Sequence, residues 1–378
     1  MASRGLNIAA HFCRIAAGLV FAFSGFVKAV DPWGTALKVN EYLSIYGLEA
    51  LIPYSMIFSI WLCGAELMMG LMLTFKVRTR LISIFALVSM IFFTILTFLS
   101  ATWIPVEDCG CFGDALKLSP WETFFKNLVI LPMVAIVWYR YRRHRILEFT
   151  RVEILLTCLF FSIAMGVGAY CYYNLPMIDF LPYKKGANIY EMIEAQHDTG
   201  SEEMAVEEYV LVYRNKRTGK LREFSIDDKE WQNEDKWEWV ETRVDNESNV
   251  VQTLVSEFSI SDPEGNVTKE ILTRKGNVYL LCVTDPAKLN KRCKERMRKV
   301  VELAEAQGGY AICLTPKPLR SATYYDFGNG AEVRCYNIDA TVMKTMLRAT
   351  NGMVVLKDGI IVDKLNCRNI DPEAEYFK

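Results

Sequence analysis

The chain has 378 residues, 52% of them hydrophobic, and a formal net charge of −1. Its length exceeds one ordinary domain of roughly 100 to 200 residues, and so balanced a charge excludes a nucleic-acid-binding protein, which needs a clustered basic surface. The long apolar runs all lie before Asn174, whereas acidic and basic residues crowd the part after it, so a membrane half followed by a water-soluble half is expected.

A membrane-crossing helix needs about 20 largely apolar residues. Residues 8–30, 54–75, 81–104, 121–139 and 152–173 meet that requirement. The first run is long, carries Lys28 near its end and lacks a small-residue cleavage site, so it reads as a retained span and not as a secretory signal. The fourth is the weakest: Glu122 and Lys126 sit in its first turns and Pro132 interrupts it, leaving a buried or re-entrant helix as the alternative. In the fifth, Gly166-Val167-Gly168 with Ala164 and Ala169 forms a small-residue face expected to dock against the four preceding helices.

Basic residues in short loops resist transfer across a membrane. Lys76-Val77-Arg78-Thr79-Arg80 and Arg140-Tyr141-Arg142-Arg143-His144-Arg145 are therefore expected on the cytoplasmic side, with Arg4 and Arg14 holding the amino terminus there. Residues 31–53 and the acidic loop 105–119, with Glu107, Asp108 and Asp114, face outward. Five spans then put everything after Asn174 outside, where disulfides persist.

Beyond the last span, residues 175–189 read as an exit linker. Residues 209–213 and 221–226 read as strands joined by the turn Lys216-Arg217-Thr218-Gly219-Lys220. An acidic stretch with Trp231, Trp237 and Trp239 follows, which suits packing within a small subdomain or a partner surface rich in aromatic anchors. From Glu257 the pattern is α/β: a strand at 278–283, a helix at 289–307, strands at 310–314 and 333–338, a helix at 341–349, and a hairpin of 353–356 with 360–364.

Eleven cysteines are too few and too scattered for a disulfide scaffold. Cys13, Cys63 and Cys158 lie in apolar runs, where cysteine behaves as a small hydrophobe. The tight spacing is Cys109-Gly110-Cys111. Two sulfurs one residue apart close only a small, strained and reducible ring, which favours an exchanging pair, and glycine supplies the positive φ that a tight loop demands. The alternative is a turn in which two cysteines merely pack. Zinc would require two further ligands; His11 and His144 lie toward the inner face, leaving Asp108, Asp114 or the distant His197, so no metal is expected. Glu66, in the middle of the second span, costs about 3 kcal/mol to insert unless it turns inward to a partner. It is a candidate for proton movement or quinone contact, or else fixes helix packing. Lys28 either snorkels to the interface or pairs with Asp31 or Glu66, and Cys63 lies one turn before Glu66 on the same face.

The run Phe21-Ala22-Phe23-Ser24-Gly25-Phe26-Val27-Lys28-Ala29-Val30-Asp31-Pro32, Glu66 with Gly70, and Asp108-Cys109-Gly110-Cys111-Phe112-Gly113-Asp114 together resemble the DoxX and MauE-like membrane bundle proteins. Asp179-Phe180-Leu181-Pro182-Tyr183-Lys184 looks like the continuation seen in their Bacteroidetes-type members. The resemblance covers about half of the chain and implies a four-helix core similar to DsbB and VKOR-like oxidases, with thiol or quinone redox chemistry or maturation of disulfide-containing envelope proteins. The carboxyl-terminal part resembles thioredoxin or TlpA-type domains, with two departures. Where those domains carry Cys-x-x-Cys at the first core helix this chain has Asn290-Lys291-Arg292-Cys293, and where they carry a proline before the terminal hairpin it has Asn351-Gly352-Met353. Both departures argue against exchange by this domain. Cys293 is then either a thiol mildly activated by the helix dipole or an ordinary partly buried one.

The expected architecture is an α-helical membrane bundle, with a four-helix DoxX/MauE-like core over 1–145 and a fifth helix with linker over 146–189. A β-rich connecting subdomain over 190–256 and an α/β thioredoxin-like soluble domain over 257–378 follow. Two functions fit. One is an inner-membrane redox protein, a thiol:disulfide or thiol:quinone oxidoreductase component, exchanging through Cys109 and Cys111 with Glu66 as a buried acid and a quinone as the cofactor that the resemblance implies. The other is a non-catalytic scaffold or binding subunit of an envelope complex, using the degenerate thioredoxin-like domain to hold a partner. Either sits in the lipid bilayer of a bacterial inner membrane, its amino terminus cytoplasmic and its carboxyl-terminal domain periplasmic.

Overall fold

The computed structural model describes residues 2–103, 110–116, 118–143, 150–197, 208–219, 221–225, 230–233, 235–245, 258–319 and 321–371. The chain divides into two compact units, Met1–Phe180 and Leu181–Lys378.

The first unit holds α1 (Ala2–Val30), α2 (Pro32–Ile45), α3 (Ser55–Thr74), α4 (Thr79–Thr102), α5 (Pro120–Tyr141) and α6 (Arg151–Tyr173). Five stretches, all but α2, are long and apolar enough to cross a membrane. Large side chains such as Phe12, Trp61, Phe92, Phe125 and Leu155 point outward from the bundle, as suits helices solvated by lipid. The interior is lined by Phe21, Met72, Met90, Val134, Val137 and Phe160.

Helices α1 and α3 approach backbone to backbone. A Cβ on Gly70 would lie 2.1 Å from the Ala22 nitrogen, and one on Gly25 would lie 2.2 Å from the Leu67 nitrogen; two glycines thus create the contact. At the opposite end of the pair Arg14 donates to the Leu73 carbonyl and, at 2.7 Å, to the Thr74 carbonyl. These are among the last carbonyls of α3, which have no partner within the helix, so a cation there satisfies both hydrogen bonding and the helix dipole.

Several features differ from expectation. The loop over 31–53 is mostly helix: Asp31 caps α2 by accepting from the Gly34 nitrogen at 3.0 Å, and Pro32 takes the first helical position, where its missing N–H costs nothing. Pro132 does not interrupt the fourth span, which runs unbroken through it. That span starts on a reciprocal cap, the Ser119 hydroxyl accepting from the Glu122 nitrogen at 3.3 Å and the Glu122 carboxylate from the Ser119 nitrogen at 2.9 Å, so the acidic residue marks the start of the helix. Thr150 and Glu153 begin α6 in the same way. In α6 the small face is Ala164 and Gly168, both buried and one turn apart, while Gly166 is exposed. Four-residue spacing shares a helix face and two-residue spacing does not; Ala164 and Met165 meet Gly64 of α3, and Gly168 meets Ile60.

The second unit is mixed α/β. It contains α7 (Ile189–His197), β1 (Glu208–Asn215), β2 (Leu221–Ser225), β3 (Trp237–Asp245), β4 (Ile260–Asp262), β5 (Gly265–Asn266), α8 (Thr268–Leu272), β6 (Asn277–Val283), α9 (Lys291–Ala306), β7 (Tyr310–Thr315), β8 (Thr323–Asp326), β9 (Glu332–Ile338), α10 (Ala340–Leu347), β10 (Asn351–Lys357) and β11 (Ile360–Asn366). Strands β1 to β3 form a three-stranded antiparallel sheet in the order β2-β1-β3. Its core is Leu211, Tyr213, Phe224, Trp231 and Trp237, which gives these two tryptophans a packing role.

The larger sheet runs β11-β10-β6-β7-β9-β4-β5, with β8 added on β9. Strands β6, β7 and β9 are parallel and β10 and β11 antiparallel to their neighbours. Strand β6 is buried from Val278 to Val283, because it is central and covered on both faces. Cys293, Met297, Val300, Val301 and Ala304 form one stripe of α9 and bury it against Tyr279, Leu281, Cys313, Val333, Met353 and Val355. The stretch expected as a linker contributes buried Leu181, Tyr183 and Ile189, and its backbone reaches the edge of β11, with Gly186 donating to the Ile361 carbonyl at 2.7 Å.

Candidate functional site

Of the sequence-predicted sulfurs, Cys109 lies outside the described residues and Cys111 is a half-buried thiol. The backbone around Cys111 is tightly held. Gly110 and Gly113 take φ of +60° and +52°, and the Gly113 nitrogen donates to the Gly110 carbonyl at 3.1 Å, which turns the chain sharply enough that residues bearing a Cβ would be strained. The turn docks on the bundle: Ser24 of α1 donates to the Cys111 carbonyl, and the buried Phe112 ring lies 5.8 Å from Phe23. Lys126 of α5 stands 4.5 Å over that same ring, a cation–π contact that gives this charged residue a partner near the start of the span.

Beside this turn is the buried charge of the bundle. Lys28, in the last turn of α1, donates to the carboxylate of Glu66 in α3, their side chains 8% and 12% exposed. Lys28 and Glu66 thus pair, and Asp31 is occupied in capping α2. The Cys111 turn packs beside Lys28, since a Cβ on Gly113 would lie 3.7 Å from the Lys28 Cγ. Cys63 is fully buried and donates weakly to the Thr35 hydroxyl at 3.6 Å, while Ser59 on the same helix donates to the Pro32 carbonyl at 2.7 Å. Elements α1, α2, α3 and the Cys111 turn therefore converge on one buried ion pair. The contributions of Ser24, Thr35 and Ser59 were not foreseen, since isolated hydroxyls in apolar runs carry no spacing signal.

In the second unit Cys293 is neither an activated nor an ordinary thiol. It is joined to Cys367, in the short 3-10 turn after β11, with a Cα–Cα distance of 5.6 Å. A bridge across a sequence separation of 74 contributes about 4 kcal/mol of stability on the loop-entropy account. Arg296 donates to the Cys367 carbonyl at 3.0 Å and to the Arg368 carbonyl, further holding that turn on α9. Two cysteines far apart in sequence give no hint of pairing; the antiparallel β10–β11 hairpin brings the end of β11 back to the start of α9. Cys282, by contrast, is a thiol pushed up to about 12 by burial, which makes it inert at neutral pH. Cys313 and Cys335 face each other in register across β7 and β9; a hydrogen bond between the two sulfurs, with burial, holds Cys313 well above the ordinary thiol range.

Among the described residues no three His, Cys, Asp or Glu side chains lie together as a metal site would require. No curated protein and no solved structure matches the chain. Residues 6–140, which carry nearly all of the first four spans and the turn that packs beside Lys28, match the family described as Methylamine utilisation protein MauE.

Proposed function

We propose that the chain is a membrane-anchored binding subunit of an envelope complex, in which residues 257–378 form a thioredoxin-like domain that holds a partner without exchanging disulfides. The domain limits put forward with it are the bundle core over 1–145, the fifth helix and connection over 146–189 and the β-rich subdomain over 190–256. The order strand, helix, strand, then helix and terminal hairpin in β6-α9-β7 and α10-β10-β11 supports the thioredoxin likeness. One observation carries the non-catalytic reading: the first turn of α9 has a single cysteine, and that cysteine is closed on Cys367. Where an attacking thiolate would stand, Asn290 instead caps the helix, accepting from the Arg292 nitrogen at 2.8 Å. Exchange needs an exposed thiolate and a resolving partner, and this arrangement provides neither.

A second reading, thiol exchange at Cys109 and Cys111, is favoured by the half-buried Cys111 thiol, which stands in a turn packed beside the Lys28 side chain. A quinone fits this site poorly, because the buried ammonium that would meet a quinone oxygen is committed to Glu66. One experiment separates the readings. The full chain and its Cys109→Ser/Cys111→Ser variant are isolated from membranes under native conditions, and Cys111→Ser is probed for mixed disulfides at Cys109 on non-reducing gels. The binding reading expects a higher-mass assembly retained by the double variant and no mixed disulfide. Loss of the assembly in the double variant, together with a trapped adduct, overturns it in favour of exchange.

A further inference from the structure

The first half of α9 breaks the usual charge rule for a helix. Over Lys291–Lys299 it carries Lys291, Arg292, Lys294, Arg296, Arg298 and Lys299 against one acid, Glu295, and its first turn has no acidic residue. Cations at the amino-terminal end of a helix oppose the macrodipole, so this composition does not serve the stability of the helix. Two of the six are spent internally: Arg296 on the carbonyls of Cys367 and Arg368, and Arg298 on Glu302 at 2.6 Å. Lys291, Arg292 and Lys299 are exposed and Lys294 half-exposed, Lys294 standing 5.2 Å over the ring of Tyr325. Among the described residues no carboxylate lies within salt-bridge distance of these four. Locally unfavourable sequence without a local compensation is expected where a surface has another task.

We propose that this face of α9 is the docking surface of the module and that its occupant is an acidic segment of a partner protein, a proposal that rests on the binding reading above. Charge complementarity argues for a carboxylate-rich ligand: three ammonium groups give long-range attraction, and the Arg292 guanidinium offers a planar fork for bidentate contact with a carboxylate. A lipid surface is the rival. Helices that lie on membranes pair their basic residues with exposed apolar ones that insert, and among the described residues of the second unit the large exposed apolar side chains, Tyr324, Ile360 and Val362, lie on strands β8 and β11, with none on α9. The disulfide and the Arg296 contacts hold the first turn of α9 in place before any partner arrives, which lowers the ordering cost of binding.

The test uses the full chain in zwitterionic nanodiscs, titrated with a fluorescent oligoglutamate peptide. Binding is expected to weaken about tenfold in the variant Lys291→Glu/Arg292→Glu/Lys294→Glu/Lys299→Glu and to fall as salt is raised. A charge-matched control, Lys216→Glu/Arg217→Glu/Lys275→Glu/Lys357→Glu, is expected to bind as the wild type does. The helix variant is expected to melt no lower than the wild type, because carboxylates suit that end of the helix, so lost binding is not lost folding. Equal loss in the control, or no binding by the wild type, overturns the proposal, as does binding confined to phosphatidylglycerol vesicles. In membranes the helix variant is expected to lose the native assembly. If it keeps the assembly, this surface is wrong and the binding reading stands; if the wild type forms no assembly, the binding reading fails while the peptide titration still decides the surface.

Discussion

Lys28 and Glu66 illustrate what one residue can cost in a bilayer. Either charge alone inside the bundle would be expensive, and the two together, 8% and 12% exposed, neutralise each other across α1 and α3. Removing one partner of such a pair leaves the other buried and uncompensated, a loss of roughly 3 to 5 kcal/mol, whereas replacing both with apolar residues of similar volume is close to neutral. Glu66→Gln is therefore expected to lower the thermal stability of the detergent-solubilised chain sharply, and Lys28→Met/Glu66→Met to recover most of it. A Glu66→Gln protein as stable as the wild type would remove the packing role assigned to the pair. That Glu66 turns inward was legible from its place in the middle of an apolar run; that Lys28 and not another group meets it was one of several possibilities until α1 and α3 were seen side by side.

Between elements, the decisive contact is that of α1 with α3. Gly25 and Gly70 each leave room for the facing backbone, and an added methyl at either must push the helices apart. Gly70→Ala is expected to destabilise the bundle by about 1 to 3 kcal/mol, read as a fall in melting temperature or in the fraction surviving detergent extraction. Gly166→Ala makes the contrast: nothing lies within 4 Å of the added carbon, and alanine is the better helix former by about 1 kcal/mol, so this change is expected to be neutral or mildly stabilising. The sequence pointed to Gly166 and Gly168 together as a docking face. Helical phase explains the difference, since residues two apart point about 200° apart around a helix of 3.6 residues per turn. The capping boxes at Ser119 and Thr150 and the Asp31-Pro32 start of α2 were also present as local patterns, because they depend on neighbours three residues away.

At the scale of the whole molecule, the basic connections Lys76 to Arg80 and Arg140 to Arg143 lie at one end of the bundle's hairpins and the Cys111 turn at the other, in accord with alternating spans. The topology argued from those charges predicts that a periplasm-dependent reporter fused after Lys378 is active and that a cytoplasm-dependent one is silent. A reversed result would move Cys111 and the Cys293–Cys367 bridge into a reducing compartment, where such a bridge does not persist.

Hydropathy and periodicity suffice for the five spans and for most strands of the α/β module, because burying apolar surface and pairing backbone groups are short-range demands written into runs of 5 to 20 or so residues. Strands β4, β5 and β8 escaped this reading: each has at most four residues, and only Ile260 among them is buried, so they carry little pattern. Lys28 with Glu66 was one of the pairings the sequence offered, and packing chose it; what the chain could not announce by itself were other meetings of residues distant in sequence, among them Ser24 with the Cys111 turn and Cys293 with Cys367. A side chain's own neighbours determine the element it joins, but its partner across the fold depends on helix phase, strand register and the path of the connections, and these are decided only when the whole chain packs.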